Sequence, residues 1–250
     1  MDLQLAGRVY VVTGGTRGLG FATAQHLVAE GARVVVSGRG ADAVSAAVAQ
    51  LGGSPCALGV VGDNASPEVA DSLADMAMST FGRLDGVLIS TGGPPPGQTM
   101  DISDEQWLAA FGSVFLGAVR IATKSAGLLE SGGVIAFVLS SSVKSPLDRL
   151  AVSNGLRPGL AMVAKTLADE LGPRGIRVLG LLPGRIATTR TEELDARAPG
   201  RREQAEATIP LRRYGEPAEF GRVATFLLSP AASYMTGIVV SVDGGALRCL

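Results

Sequence analysis

The chain has 250 residues, 46% of them hydrophobic and 18% charged, with a formal net charge of −1. This length allows one large α/β domain or two small ones, and the near-zero charge argues against binding to nucleic acid or to a membrane surface. His26 is the only histidine, and Cys56 and Cys249 are far apart in the sequence, so a disulfide framework, a zinc site and a Ser-His-Asp triad are not expected.

The first predicted strand is Val9–Val12, and it leads through a glycine-rich turn into a helix. The turn contains Gly14, Gly18 and Gly20, which tolerate positive φ and leave room beside the backbone. A diphosphate lying there would meet the amides and the positive dipole end of the helix. The turn therefore predicts the phosphate part of a dinucleotide site, although an ordinary strand-to-helix turn would use the same residues.

Apolar runs alternate with helical patterns along the rest of the chain. Strands are predicted at Arg33–Ser37, Cys56–Val61, Gly86–Ile89, Val134–Leu139, Ile176–Leu182 and Gly237–Val242. Helices are predicted at Gly18–Glu30, Ala41–Leu51, Pro67–Phe81, Asp104–Leu129, about Gly155–Leu171 and Pro217–Leu228. This alternation indicates right-handed βαβ units in one Rossmann-type, doubly wound parallel sheet of about seven strands. We predict a single domain over residues 1–250, with the polar segment 185–213 as a lid.

Small and polar residues follow each predicted strand. They include Ser37-Gly38-Arg39, Asp63-Asn64, Ser90-Thr91-Gly92, Ser140-Ser141-Ser142 and Pro183-Gly184. In a doubly wound sheet the ligand binds outside the carboxyl ends of the strands, so these residues are expected to line one site.

Several of these motifs resemble those of the short-chain dehydrogenase/reductase family over essentially the whole chain. The resemblance rests on Thr13–Gly20, on Asp63, on Leu179–Gly184 followed by Ile186 and Thr188, on Ser233–Gly237 and on Val242–Gly245. Within the family, the chain looks most like the bacterial 3-oxoacyl-carrier-protein-reductase-like members. The resemblance implies a nicotinamide dinucleotide as cofactor.

The cofactor set that the pattern and the resemblance imply comprises Gly14, Thr16, Arg17, Gly18, Leu19, Gly20, Ser37, Arg39, Asp63, Asn64, Thr91, Gly92, Pro183, Gly184, Ile186 and Thr188. An NAD site usually has an acidic residue at the end of the second strand, whereas this chain has Ser37 there with Arg39 nearby. Arginine suits a 2′-phosphate, so we predict NADP(H) in preference to NAD(H), unless Arg17 and Arg39 are solvated surface residues. The resemblance implies that Thr188 binds the nicotinamide carboxamide. Its alternative role is to cap the next helix.

The family's reductases use a serine, a Tyr-x-x-x-Lys pair and a helix asparagine. An ungapped alignment from Leu167–Leu171 places Ser153 at the tyrosine position and Arg157 at the lysine position, while Val114 falls at the asparagine position. Of the four groups, the resemblance leaves the serine, as Ser142 or a neighbour.

A serine hydroxyl does not ionise near neutral pH, and arginine stays protonated, so neither replaces a tyrosine acid. Lys144 in the following loop is a candidate proton donor if its amine is desolvated, and a solvated loop charge otherwise. Pro158 is expected to bias Arg157 away from the helical region.

These observations predict an NADP(H)-dependent oxidoreductase acting on a small carbonyl or alcohol substrate, with an atypical catalytic site. The alternatives are a dinucleotide-binding protein without reductase activity (a sensor, scaffold or partner subunit) and a non-redox lyase, isomerase or dehydratase on the same fold. The small-residue face of Ala161, Ala164 and Ala168 predicts helix packing between subunits of a homodimer or homotetramer. Without an N-terminal apolar run, the protein is expected to be cytoplasmic.

Overall fold

A computed structural model describes residues 1–196 and 200–249 of the chain. Residues 197–199, which fall in the predicted lid segment, and residue 250, at the end of the predicted domain, lie outside the described residues. All the strands of the described part belong to one sheet. The single-domain organisation and the lid at 185–213 stay predictions.

Seven parallel strands form the sheet, in the order β3-β2-β1-β4-β5-β6-β7. They are β1 (Val9–Val12), β2 (Arg33–Gly38), β3 (Ala57–Val61), β4 (Gly86–Ser90), β5 (Val134–Val138), β6 (Arg177–Pro183) and β7 (Ile238–Val242). Each differs from its predicted bounds by a residue or less at either end. The predicted Rossmann-type, doubly wound parallel sheet is therefore confirmed.

Nine α-helices accompany the sheet in the described residues. They are α1 (Gly18–Ala29), α2 (Ala41–Gln50), α3 (Pro67–Met76), α4 (Asp104–Ala110), α5 (Gly117–Leu128), α6 (Ala151–Leu171), α7 (Thr189–Ala196), α8 (Arg201–Thr208) and α9 (Pro217–Leu228). The sequence patterns did not predict α7 and α8. Both are short and almost entirely polar, so they carry no apolar stripe from which a helix could be recognised.

The sheet is covered on both faces, and alternate residues of each strand point to opposite faces. Val9 and Val11 of β1 pack in one apolar cluster with α3, α5 and α6. Tyr10 and Val12 pack in the other cluster with α1 and α9. This burial on both faces explains why the strands read as continuous apolar runs.

The small-residue face of α6 is part of the core. Ala164 and Ala168 are each 4% exposed and pack with the sheet and α5, so the prediction that they join subunits is wrong for these two residues. The exposed apolar residue on this helix is Met162.

Pro158 lies inside α6, and Arg157 before it is helical. The expectation that proline would turn Arg157 out of the helix is therefore wrong. Val152 before Pro158 and Leu160 after it are both buried, so packing of the whole helix outweighs the local preference. The helix begins at Ala151 rather than near Gly155.

The segment Asp104–Leu128 is a continuous helix with a π-helical turn at Phe111–Leu116. By length and composition alone it is long enough and apolar enough to cross a membrane, although 33% of its most apolar window is buried in the fold. Trp107 and Phe115 lie against Gly155 and Gly159 of α6. Such packing is typical of a core helix, and length and composition alone are weak evidence for a membrane span.

Asp85 links the amino-terminal ends of β1 and β4. The carboxylate is 7% exposed, accepts a hydrogen bond of 2.9 Å from the amide of Val9, and pairs with Arg8 and Arg83.

We expect Asp85→Ala to lower the free energy of unfolding by about 2–3 kcal/mol, because it leaves a buried amide unpaired and removes both ion pairs. Urea unfolding measures the loss. Asp71→Ala, which removes an exposed pair with Lys124, is the control and should cost about 1 kcal/mol or less.

Candidate active site

The strand order reverses between β1 and β4, so a crevice opens at their carboxyl ends. Thr13 joins the two strands there. Its hydroxyl donates to the Ser90 carbonyl and accepts from the Ser90 amide, both at 2.9 Å. The carboxyl ends of β5 and β6 lie on the same side of the sheet as those of β1 and β4. The residues that follow these four strands therefore surround one crevice.

The glycine turn lies at this crevice and requires glycine. Gly14 has φ of +57°, and a Cβ there would lie 2.7 Å from the Ser90 carbonyl oxygen. A Cβ at Gly20 would collide with the Gly14 carbonyl. The first turn of α1, which starts at Gly18, has neither a side-chain cap nor an acidic residue, so its amides are free to bind phosphate oxygens. This cradle fits the diphosphate of a dinucleotide.

Ser37 lies buried near the end of β2. This side chain is 1% exposed, its hydroxyl has no partner, and its carbonyl accepts from the Gly15 amide at 3.0 Å. Ser37 is therefore a buried strand residue, and its part in the cofactor site stays a prediction. Arg39, just after β2, and Arg17, in the glycine turn, are exposed cations. Thr16 packs directly over Gly38.

Asp63 and Asn64 follow β3 as predicted. One carboxylate oxygen of Asp63 accepts from the Ala65 amide at 2.9 Å, which fixes the turn. The backbone of Asn64 packs against Gly117, where any Cβ would collide with it. The loop is thereby tied to the start of α5, and Asp63 keeps its second carboxylate oxygen for another donor.

Across the crevice, Thr188 faces the glycine turn. A Cβ at Gly18 would lie 3.6 Å from the Thr188 methyl group. The Thr188 hydroxyl accepts from the Thr191 amide at 3.4 Å, so it caps α7, as the second of its two predicted roles required. Before it, Gly184 donates its amide to Val242 at 2.9 Å, and Ile186 is buried.

Ser142 and Ser153 form a buried pair of hydroxyls. Ser142 lies in a 3₁₀ turn after β5, and Ser153 lies in the first turn of α6. Their oxygens are 3.1 Å apart, and the two side chains are 4% and 5% exposed. The structure thus brings together the predicted serine and the residue aligned with the family's tyrosine.

Arg157 lies one helical turn beyond Ser153 and is also buried, at 5% exposed. Its guanidinium donates to the Val138 carbonyl and, at 3.2 Å, to the Thr91 hydroxyl, while its Nε has no partner. Within the described part of the chain, no carboxylate pairs with it. Burial, together with the charge of Arg190, lowers its pKa to about 10, so the side chain stays protonated at neutral pH.

Arg190 is a residue near the crevice that the sequence interpretation missed, because it lies in the polar segment predicted as a lid. From α7 it donates to the carbonyls of Gly93 and Pro94, at 2.9 and 2.8 Å. A Cβ at Gly93 would collide with its guanidinium. It links the lid segment to the proline-rich loop after Gly92, close to Thr91. The sequence feature that could have identified Arg190 is its position two residues after Thr188.

The three tyrosines of the chain, the residue type that serves as the acid in the family's reductases, lie elsewhere. Tyr10 is buried between β1 and α9, donates to the Leu228 carbonyl at 3.2 Å, and has its pKa raised by burial. Tyr214 packs beneath the guanidinium of Arg185, and Tyr234 is fully exposed. The three tyrosines thus lie away from the serine pair.

Lys144 differs from its proposed role as the acid. It is exposed and lines a groove of about 250 Å³ between α6 and β7, together with Lys165 and Gly237. The hydrogen bonds of the described residues do not connect it to Ser142 or Ser153. Its desolvation, on which the proposal depended, is absent in this structure.

Comparison with known proteins agrees with this geometry. A family profile described as enoyl-(acyl carrier protein) reductase matches residues 14–246. An uncharacterised oxidoreductase of Mycobacterium bovis is 36% identical over 98% of this chain and 99% of its own length. Dehydrogenase/reductase SDR family member 4 of Bos taurus is 36% identical over 98% of this chain and 89% of its own length.

Among solved structures, L-sorbose reductase from Gluconobacter frateurii, in complex with NADPH and L-sorbose, aligns with a TM-score of 0.91 at 30% identity over 100% of both chains. A glucose/ribitol dehydrogenase of Brucella melitensis aligns with a TM-score of 0.93 at 28% identity, also over 100% of both chains. The fold, the crevice and these relatives together show that the chain belongs to the short-chain dehydrogenase/reductase family of oxidoreductases.

Proposed function

We propose that the protein is an NADP(H)-dependent oxidoreductase that acts on a small carbonyl-containing or alcohol substrate with an atypical catalytic site. The observation that carries the proposal is the glycine cradle between β1 and β4, with the uncapped amides of α1 directed at it. The solved L-sorbose reductase, which binds NADPH, supports the same cofactor.

The residues around the crevice divide between the parts of the dinucleotide. The turn Gly14–Gly20 would hold the diphosphate, and Arg17 and Arg39 would bind a 2′-phosphate because both are exposed cations at the β2 edge. Asp63 would accept from the adenine amine. Thr91, Gly92, Pro183, Gly184, Ile186 and Thr188 would surround the nicotinamide end. When bound, the reduced dinucleotide supplies a hydride.

The chain itself contributes hydrogen bonds and charge on the substrate side. Ser142 and Ser153 present two hydroxyls that can hold a substrate oxygen, and Arg157 adds a fixed positive charge beside them. We propose that Ser153 and Arg157 replace the Tyr-x-x-x-Lys pair of the family, so that the site orients and polarises the substrate without a side-chain acid.

One observation favours the alternative of a dinucleotide-binding protein without reductase activity. The tyrosines and the sole histidine all lie away from the serine pair, and His26 packs against Gly221 of α9.

A cytoplasmic location and a homodimeric or homotetrameric assembly complete the proposal. Leu108, Phe111 and Met162 are exposed apolar residues available for subunit contacts.

Two measurements test the proposal in sequence. Trp107 is the only tryptophan. It lies against Gly155, which is two residues after Ser153 in α6. Energy transfer from Trp107 to the reduced nicotinamide therefore reports binding. NADPH oxidation is then followed with ketones, β-keto thioesters and quinones. Binding with turnover supports an oxidoreductase, binding without any turnover supports the alternative, and no binding of either dinucleotide contradicts both.

Arg39→Ala should weaken NADPH binding about 10- to 100-fold, because a charge-assisted hydrogen bond to the 2′-phosphate contributes about 1.5–3 kcal/mol. The affinity for NADH, which lacks that phosphate, should not change. Titration of both dinucleotides by Trp107 fluorescence checks the difference. Arg222→Ala removes an exposed arginine of α9 and serves as the control. Equal losses for NADPH and NADH in Arg39→Ala would argue against the assigned phosphate site.

A further inference from the structure

We propose that Arg190 is a positioning residue that fastens residues 188–190 as a strap across the crevice, and that this strap controls how fast a nicotinamide dinucleotide enters and leaves. The inference rests on the proposed dinucleotide-dependent function and concerns the same site. It follows from the contacts that Thr188 and Arg190 make with opposite walls of the crevice.

The strap contacts both walls of the crevice. On the β1 side, the methyl group of Thr188 lies over Gly18, 3.6 Å from the position of a Cβ there. On the β4 side, the Arg190 guanidinium donates to the carbonyls of Gly93 and Pro94, at 2.9 and 2.8 Å. The diphosphate is expected on the uncapped amides of the helix that begins at Gly18. A dinucleotide in the crevice would therefore lie beneath the strap.

The loop to which Arg190 binds is a stiff attachment. Pro94, Pro95 and Pro96 fix φ and have no N–H group, so the loop supplies few amide donors that could compete for its carbonyls. At the far end of the loop, the Gly97 amide donates to the Arg149 carbonyl at 2.8 Å. The loop is thus held at both ends, by β4 and by the segment before α6.

The contact depends on glycine at position 93. A Cβ there would collide with the Cζ of Arg190 and would lie 2.6 Å from one of its terminal nitrogens. The φ of Gly93 lies outside the left-handed region, so its backbone accepts alanine, and the nearest atoms in the way of the methyl group are those of the guanidinium. Gly93→Ala therefore displaces the guanidinium without removing its charge.

The strap has an attached base and one fastening. The Ala187 amide donates to the Gly215 carbonyl at 2.8 Å, and the Gly215 amide donates to the Arg185 carbonyl at 3.0 Å. Among the described residues, the hydrogen bonds that join α7 to the loop after β4 are the two from Arg190. Breaking them frees the strap while its base stays attached. Neither bond involves the ligand, so breaking them is a step of both entry and release.

The rates of NADPH binding and release test this inference. Stopped-flow energy transfer from Trp107 to NADPH gives the association rate constant, and displacement by excess NADP⁺ gives the dissociation rate constant. Arg190→Lys keeps the charge but lacks the planar, two-pronged donor that binds both carbonyls. Gly93→Ala keeps Arg190 and displaces it.

We expect each variant to raise both rate constants about 10-fold and to change Kd less than about 3-fold, because charge-assisted hydrogen bonds at an exposed side chain are lost while the charge stays. The double variant should be no faster than either single variant, since both substitutions remove the same contact. Gly127→Ala, whose methyl group would meet open space, is the control and should keep the wild-type rates.

Unchanged rate constants in either variant, or additive effects in the double variant, would overturn the inference. Faster dissociation alone, with Kd weakened in proportion, would also overturn it, because Arg190 would then bind the dinucleotide itself. Each of these results leaves the proposed function standing, since NADPH still binds. Failure of the wild-type protein to bind NADPH would overturn the proposed function and the inference with it.

Discussion

The double variant Ser153→Tyr, Arg157→Lys is expected to reduce simple ketones about 100- to 10,000-fold faster than the wild-type protein, which is the usual contribution of a positioned general acid. The substitutions supply a phenol and an amine at the two positions that align with the family's catalytic pair. Ser142 is already 3.1 Å from Ser153, so the serine of the family's reductases is present beside the new phenol.

NADPH oxidation with cyclohexanone measures this gain, and Ser153→Phe, Arg157→Lys is its matched control. The control adds the same ring without the hydroxyl, so it should stay as slow as the wild type. If the tyrosine variant is folded, binds NADPH and is no faster than the phenylalanine variant, then Ser153 does not occupy the position of the acid.

Gly20→Ala is expected to weaken NADPH binding roughly 100-fold or more, since displacing the turn removes charge-assisted hydrogen bonds of about 1.5–3 kcal/mol each. The methyl group would collide with the carbonyl oxygen of Gly14, so either the turn or the first turn of α1 must move. Both carry the amides that would bind the diphosphate. Energy transfer from Trp107 to NADPH measures the affinity.

Gly127→Ala is the matched control for this experiment. Gly127 lies in α5, and a Cβ there would meet open space, so NADPH affinity should be unchanged. Alanine in place of glycine inside a helix should stabilise the fold by about 0.5–1 kcal/mol. Full NADPH affinity in a folded Gly20→Ala protein would show that the glycine turn is not the phosphate site.

The sheet could be predicted because its strands are buried on both faces. Continuous apolar runs such as Val9–Val12 and Val134–Val138 leave few other structures for these segments, and the glycine turn marks where the first crossover begins. The residues after each strand could be predicted to share one edge because all seven strands are parallel.

Side-chain direction and long-range contacts could not be predicted. Ser37 follows the apolar run of β2, but its hydroxyl is buried without a partner, and Lys144 lines the groove beside β7. Arg190 gains its role from carbonyl groups in a loop distant in sequence. Local patterns contain no information on such contacts. The helical state of Arg157 before Pro158 likewise depends on the packing of the whole of α6.

The site was foreseeable in part. Alignment with the family identified Ser142, Ser153 and Arg157, and the structure shows that the two serines are in contact and that the arginine is buried one turn away. That no carboxylate pairs with Arg157 among the described residues became visible only in three dimensions.

The pH profile of NADPH oxidation, at saturation with a substrate from the panel of ketones, β-keto thioesters and quinones, tests most directly whether the site works without a side-chain acid. The hydroxyls of Ser142 and Ser153 do not titrate in the accessible range, and Arg157, whose pKa is lowered to about 10 by burial, is protonated below that pH and loses its charge above it. The turnover number should therefore be constant between about pH 6 and about pH 9 and should fall only as the pH approaches that of Arg157 deprotonation. A turnover number that decreases with a pKa between about 6 and about 9 would show that an ionising side chain donates the proton, and would contradict this account.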